Sequence, residues 1–170
     1  RIEVHAASLN FPDLLTVQNK YQIKPPLPFV PGSEFSGVVQ AVGDGVRHVK
    51  PGAAVASIGA AGGFATHACV NAATVLPLPA GFDLDDAAAF AFTYGTSHHA
   101  LKQRAELKAG ETLLVLGAAG GVGLAAVEIG KVMGAGGVVV RQRHAVPGVG
   151  WIAYARDTEG NLFGMMQADP

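Results

Sequence analysis

Residues Thr112 to Leu124, Thr-Leu-Leu-Val-Leu-Gly-Ala-Ala-Gly-Gly-Val-Gly-Leu, constrain the fold more than any other part of this chain. A continuous apolar run enters a turn carrying Gly117, Gly120, Gly121 and Gly123, and the turn opens a helix. Past it, Val122, Ala125, Ala126, Ile129, Val132 and Met133 recur at helical spacing, which predicts one apolar helix face packed on a sheet. Gly134 has the place of a helix C-cap, and Gly136-Gly-Val-Val-Val140 has the composition of a second, parallel strand. The whole reads as one strand-helix-strand unit of roughly 30 residues. Such a unit holds a dinucleotide's pyrophosphate, because the glycines admit a phosphate where a Cβ would stand and the first helical N–H groups point at the anion. Gly117, Ala118, Ala119, Gly120, Gly121, Val122 and Gly123 are therefore the candidate cofactor-binding segment. A plain glycine-rich connector is the competing reading.

Composition excludes several function classes. With 170 residues, 49% hydrophobic, the chain has ample material for a core. Charged residues make up 15% and the net charge is −1, so there is no electrostatic case for nucleic acid or an anionic membrane. Cys69 stands alone, which excludes an internal disulfide and a four-cysteine zinc lobe and fits a reducing, cytoplasmic setting. No apolar run reaches the ~18 residues of a membrane span, and the start has no signal-peptide pattern. The chain opens at Arg1 directly in an alternating segment, which suggests that upstream residues have been lost.

From Arg1 to about Pro79 the texture is that of short strands and turns. Ile2, Val4 and Ala6 alternate with polar neighbours, and Gly37 to Val42 and Ala53 to Ile58 are further strand candidates. Pro25, Pro26, Pro28 and Pro31 exclude a regular helix there, and Gly43-Asp-Gly45 and Lys50-Pro-Gly52 mark turns. After Asp83 the pattern changes: Ala87 to Phe90, then Ala100, Leu101 and Leu107, predict two helices, with Asp83 or Asp85 as N-cap of the first. At the end, Gly150 to Arg156 and Leu162 to Gln167 predict two strands joined by a tight turn. The expected class is α+β, divided into a barrel-like β lobe (1–82), connecting helices with a partial nucleotide unit (83–140) and a C-terminal hairpin segment (141–170).

Several separately spaced motifs carry a family likeness. Asn10-Phe-Pro-Asp13, Pro28-Phe-Val-Pro-Gly-Ser-Glu-Phe-Ser-Gly-Val-Val39, Val42-Gly-Asp-Gly-Val46, Gly62-Gly-Phe-Ala65, Ala87-Ala-Ala-Phe-Ala-Phe-Thr-Tyr-Gly-Thr96 and Leu116-Gly-Ala-Ala-Gly-Gly-Val-Gly123 follow one another in the order seen in medium-chain dehydrogenases/reductases. Over Arg1 to Ala135 the chain resembles their zinc-free quinone oxidoreductase branch, related to zeta-crystallin. The resemblance implies a GroES-like β lobe, a Rossmann domain, and metal-free hydride transfer from NADPH to a quinone or activated enone in the cleft between them. It also implies that Asn10 is the cleft asparagine, binding cofactor or substrate carbonyl, and that Thr96 lies near the nicotinamide. A turn or cap role is the alternative for each. The tyrosine often found five positions after the asparagine is replaced by Leu15.

Zinc-dependent relatives place a histidine before the glutamate, where this chain has Ser33-Glu34, and a cysteine near Asn10; both are missing. No metal site is expected, and Glu34 is expected to order nearby loops by hydrogen bonding. His67, His98 and His99 lack ligand spacing and read as polar or cap residues. At the end of the second strand, where NAD enzymes place an acidic residue, the chain has Arg141 and Arg143. Either they pair with the 2′-phosphate of NADPH or they are solvated strand-end arginines.

Beyond Ala135 the family pattern stops. The tail, in Pro147-Gly-Val-Gly-Trp-Ile-Ala-Tyr154 and Asp157-Thr-Glu-Gly-Asn-Leu-Phe-Gly164, is similar to the closing segment of glyoxalase/bleomycin-resistance (vicinal oxygen chelate) proteins, without the carboxylate they often place on the final strand. The chain thus reads as a join of two families or the product of a deletion or frameshift, its nucleotide unit truncated. A short parallel sheet leaves bare faces and edges, so homo-oligomerisation is expected. Two functions compete: NADPH-dependent reduction of a small-molecule quinone or enone, and a non-catalytic interaction module that keeps a nucleotide-binding turn. Glyoxalase-like metal chemistry is a distant third.

Overall fold

The alternation of Ile2, Val4 and Ala6 becomes the edge-to-core pattern of β1 (Ile2–Ser8) in the computed structural model, which describes residues 1–59, 61–134, 138–146, 150–156 and 162–168, the last three as backbone. β1 pairs antiparallel with β2 (Glu34–Val39), β2 with β3 (Ala54–Ile58), β3 with β5 (Val75–Pro77), and β4 (His67–Ala68) closes on β1. The sheet order is β4-β1-β2-β3-β5. β2 is buried along nearly its whole length because it is central and covered, and β1 alternates because it is not. Ile2, Phe35, Val39, Val49, Val55, Ala68 and Val75 form the core on one face. Gly37 is required by the β1–β2 approach: a Cβ there would stand 2.0 Å from the Glu3 carbonyl oxygen, beside the register shift between Val4 and Ala6.

The β lobe also contains a helix that the strand-and-turn pattern does not anticipate. α1 (Phe11–Val17) starts at Asn10, whose backbone N–H donates to Asp13 Oδ2 at 2.8 Å, and it carries Pro12 in its first turn. Farther on, Asp83 rather than Asp85 caps α2 (Leu84–His98), its Oδ1 accepting from the N–H of Asp85 at 2.8 Å and of Asp86 at 3.2 Å. The expected second helix is instead a π-helical continuation, His99–Arg104, which ends before Leu107.

The strand-helix-strand unit differs from expectation in a definite way. Its helix is present as α3 (Gly121–Val132), ending at Gly134 with φ +75°. Its first strand is not: Thr112 makes only an isolated bridge, the following residues are irregular, and Leu114 and Leu116 are 64% and 83% exposed. The second strand, β6 (Val138–Val146), pairs antiparallel with β7 (Gly150–Arg156), which pairs antiparallel with β8 (Leu162–Ala168). Among the described residues there is no parallel pair. An apolar run becomes a strand only when a neighbour completes its hydrogen-bond ladder, and Leu113 to Val115 form no strand. The turn expected at 157–161 lies outside the described residues.

The chain divides into two compact units, Arg1–Phe92 and Thr93–Pro170, each described by itself below. No helix among the described residues is long and apolar enough to cross a membrane.

Candidate functional site

In the first unit, the functional candidates gather around Glu34, which is fully buried at the start of β2. Its Oε2 accepts from Ser8 Oγ at 2.7 Å and from Asn10 Nδ2 at 3.2 Å, and its Oε1 accepts from the Phe92 backbone N–H at 2.7 Å. One side chain thereby ties the end of β1, the start of α1 and α2 together, the loop-ordering role expected of it. Buried carboxylates persist when both oxygens find donors, and three donors meet this one.

The same network fixes what Asn10 has left to offer. Its Nδ2 donates to Ser8 Oγ at 3.0 Å as well as to Glu34, and those two acceptors are themselves 2.7 Å apart. That triangle is too narrow for two divergent amide N–H bonds, so one N–H is shared and the other has no acceptor among the described residues. The amide orientation is fixed by the carboxylate, since the reversed amide would set oxygen against oxygen. Asn10 is a helix cap through its backbone and a half-buried donor through its side chain.

Beneath this network Asp13, 3% exposed, accepts from Asn10 N–H with Oδ2 and from Ser33 N–H with Oδ1, each at 2.8 Å. The Ser33 carbonyl accepts from Gly59 N–H at 2.8 Å. Gly32 sets the chain direction at φ +101°, where a Cβ would stand 2.6 Å from the Phe64 nitrogen. Pro12, Asp13, Thr16, Tyr21, Ser33, Ile58 and Phe92 are among the residues lining a cavity of about 300 Å³. Leu15 is half-buried on α1 and takes no part in that lining.

In the second unit the glycine turn is built as its sequence demands. Gly117 adopts φ +68°, and its carbonyl accepts from Gly120 N–H at 3.0 Å. Ala118 and Ala119 are buried, and a Cβ on Gly123 would stand 2.3 Å from the Gly117 oxygen and 2.7 Å from Ala118 Cα. The N–H groups of Gly121, Val122 and Gly123 have no acceptor among the described residues, so three donors and the positive end of a helix of 12 residues converge there. Ser97, 1% exposed on α2, donates to the Val122 carbonyl at 2.6 Å, and Thr93 Cγ2 fills the space where a Gly121 Cβ would come within 3.0 Å. Tyr94 donates to Glu128 on α3. That hydrogen bond, then burial, then the Glu128 charge raise the phenol's pKa above its ordinary value.

Thr96 lies exposed on α2 beside Ser97, and its hydroxyl makes no hydrogen bond among the described residues. Arg141 and Arg143 fall on β6, whose side chains lie outside the described residues. No group of three or more His, Cys, Asp or Glu among the described residues is placed to hold a metal ion. The sequence reading missed Ser8, Ser97 and the Phe92 N–H. Ser97 had one signal, a small polar residue one position past Thr96; the other two act across long sequence separations that no local pattern marks.

Residues 1–80 match the alcohol dehydrogenase GroES-like domain. The quinone oxidoreductase-like protein 2 homolog of Nematostella vectensis is 43% identical over 130 residues, 76% of this chain and 36% of the relative. A probable oxidoreductase from Mycobacterium abscessus superimposes with a TM-score of 0.74 at 44% identity, covering 79% of this chain and 43% of the other. The quinone oxidoreductase of Thermus thermophilus, solved also as its NADPH complex, gives 0.67 at 37% identity, covering 78% of this chain and 41% of the other. The chain thus spans about two fifths of the length of these relatives.

Proposed function

We propose a function from the premise that this chain carries a segment of a medium-chain dehydrogenase/reductase, opening with an alcohol dehydrogenase GroES-like domain at residues 1–80. The segment binds NADPH and serves the metal-free reduction of a neutral carbonyl compound, a quinone or an activated enone. The observation that carries this reading is the Gly117–Gly123 turn: a positive-φ glycine, a position where any Cβ would strike backbone, and three converging N–H groups without acceptors among the described residues.

That turn fits a pyrophosphate by its own geometry. The N–H groups of Gly121, Val122 and Gly123 are the donors, Ala118 and Ala119 form the buried floor, and Ser97 holds the first turn of α3 in register through the Val122 carbonyl. Gly117 shapes the entry with its positive φ, and Gly120 is the N-cap of α3. Thr96 presents a free hydroxyl for the nicotinamide side, and Arg141 and Arg143 supply positive charge for the 2′-phosphate that separates NADPH from NADH. The bound cofactor supplies the hydride. Asn10 keeps one amide N–H for a cofactor or substrate group, its position held by Glu34 and Ser8.

A second reading, a non-catalytic module that retains the nucleotide turn, is favoured by a specific observation: Leu113 to Val115, before the turn, form no strand, with Leu114 and Leu116 exposed. Turnover separates the two. The full chain, supplied with NADPH and a panel of quinones, cyclic enones and simple aldehydes, is expected to oxidise NADPH with quinones or enones and to lose that activity in Thr96→Ala or Asn10→Ala. Cofactor binding without oxidation of NADPH by any of the panel establishes the second reading instead.

A further inference from the structure

We propose that Ser97 is a positioning residue of the glycine turn: by donating to the Val122 carbonyl it aims the Gly123 N–H and strengthens it as a donor to a pyrophosphate oxygen. Ser97 lies on α2, 1% exposed, and its Oγ reaches the Val122 oxygen at 2.6 Å. The peptide group is planar, so the Val122 C=O and the Gly123 N–H are opposite ends of one rigid dipole. In the first turn of α3 the carbonyl end points along the helix, and the N–H end points out of it into the cradle. A hydrogen bond accepted at the oxygen polarises the N–H and strengthens the bond that N–H makes by about 10–30%.

The Ser97 bond is more than helix packing requires. A serine inside a helix has a nearer acceptor in the carbonyl four residues back, here that of Thr93, yet Ser97 donates across to α3. The ladder of α3 itself directs the Ala126 N–H to the Val122 carbonyl, so that oxygen does not need Ser97 to be satisfied. The same peptide is held from its other end, because Gly123 packs so close to the turn that a Cβ would stand 2.3 Å from the Gly117 oxygen. The other two cradle donors differ. The Gly121 and Val122 N–H groups share their peptides with the Gly120 and Gly121 carbonyls, and no side chain among the described residues donates to either; Gly120 accepts from the Leu124 N–H at 2.8 Å. Given the cofactor reading of the turn, on which this rests, the donor strength of one cradle N–H is set from a neighbouring helix. Tyr94 supplies the contrast, since its hydroxyl also joins α2 to α3, through Glu128, but touches no peptide of the cradle.

The test uses the full chain labelled with ¹⁵N, in wild type, Ser97→Ala and Tyr94→Phe. Without ligand, Ser97→Ala is expected to move the Gly123 amide proton upfield and to leave those of Gly121 and Val122 in place. By calorimetry Ser97→Ala is expected to bind NADPH roughly two- to fivefold more weakly than wild type, and Tyr94→Phe to bind it as wild type does. Should Ser97→Ala not fold, Ser97→Cys, a weaker donor of similar size, carries the same comparison. A serine that only braces the two helices would shift all three amides together and would match Tyr94→Phe in affinity; either result overturns the proposal, as does an unmoved Gly123 amide. The cofactor reading fails separately: no NADPH binding by wild type refutes that reading, whereas equal NADPH affinity in wild type and Ser97→Ala refutes the role of Ser97 alone.

Discussion

Glu34→Gln tests the network that organises the first unit. The carboxylate accepts three bonds, two on Oε2 and one on Oε1, and a glutamine amide has only one oxygen. The Phe92 N–H is fixed in the backbone and cannot turn, so the glutamine oxygen must face it and the NH₂ must face Ser8 and Asn10. Ser8 can rotate its hydroxyl to accept; the shared Asn10 N–H then meets a donor and loses its bond to residue 34. One charge-assisted bond becomes neutral, one reverses and one is lost, which at about 1.5–3 kcal/mol for bonds to charged groups and about 1 for neutral ones comes to about 2–4 kcal/mol. For a unit of this size that lowers Tm by roughly 10 °C or more. Thermal unfolding followed by circular dichroism reads the loss, and amide exchange at Phe92 should accelerate with it. A Glu34→Gln variant within about 0.5 kcal/mol of wild type would refute the account of three simultaneous bonds.

Other outcomes follow from particular contacts. Gly123→Ala sets a Cβ against the Gly117 and Ala118 backbone and is expected to cost about 1–3 kcal/mol, whereas at Gly130 the obstacle is only the tip of the Leu113 side chain. There the ~1 kcal/mol helix gain of alanine offsets the shift, and chemical denaturation should find Gly130→Ala near neutral; equal losses at both sites would contradict the turn geometry. Tyr94 has a raised pKa in the folded chain, so its contribution to stability is fully present below the unfolded phenol's value near pH ~10 and is lost as pH rises through the folded value. The stability difference between wild type and Tyr94→Phe, measured by urea unfolding, should therefore shrink in strong alkali; a difference independent of pH would remove Glu128 from the explanation.

Much of the first unit is legible in sequence because its signals are local. The period of two in Ile2, Val4 and Ala6 specifies which face of β1 is buried, and Asp83 announces α2 by the bonds a short acidic side chain accepts from the N–H groups two and three residues on. α1 escapes the same reading because proline near its start and a length of 7 residues mask it, although Asn10 and Asp13, three apart, carry the capping signal. The glycine turn is legible for a different reason: glycine adopts the positive φ of Gly117 most readily, and the close backbone approach at Gly123 leaves no room for a Cβ. Thr112–Leu116 marks the limit. Its composition suits a strand, but strand formation is settled by partners elsewhere in the chain, which composition does not mark. The Glu34 network is illegible for the same reason, joining residues 26 and 58 positions away.

The central claim is that the Gly117–Gly123 turn holds a dinucleotide, and calorimetric titration of the full chain with NADPH tests it most directly. A saturable heat is expected from wild type and none from Gly121→Asp, which places a negative charge and a side chain at the mouth of the N–H cradle, against Thr93. No binding by wild type at millimolar NADPH, or undiminished binding by Gly121→Asp, would contradict it.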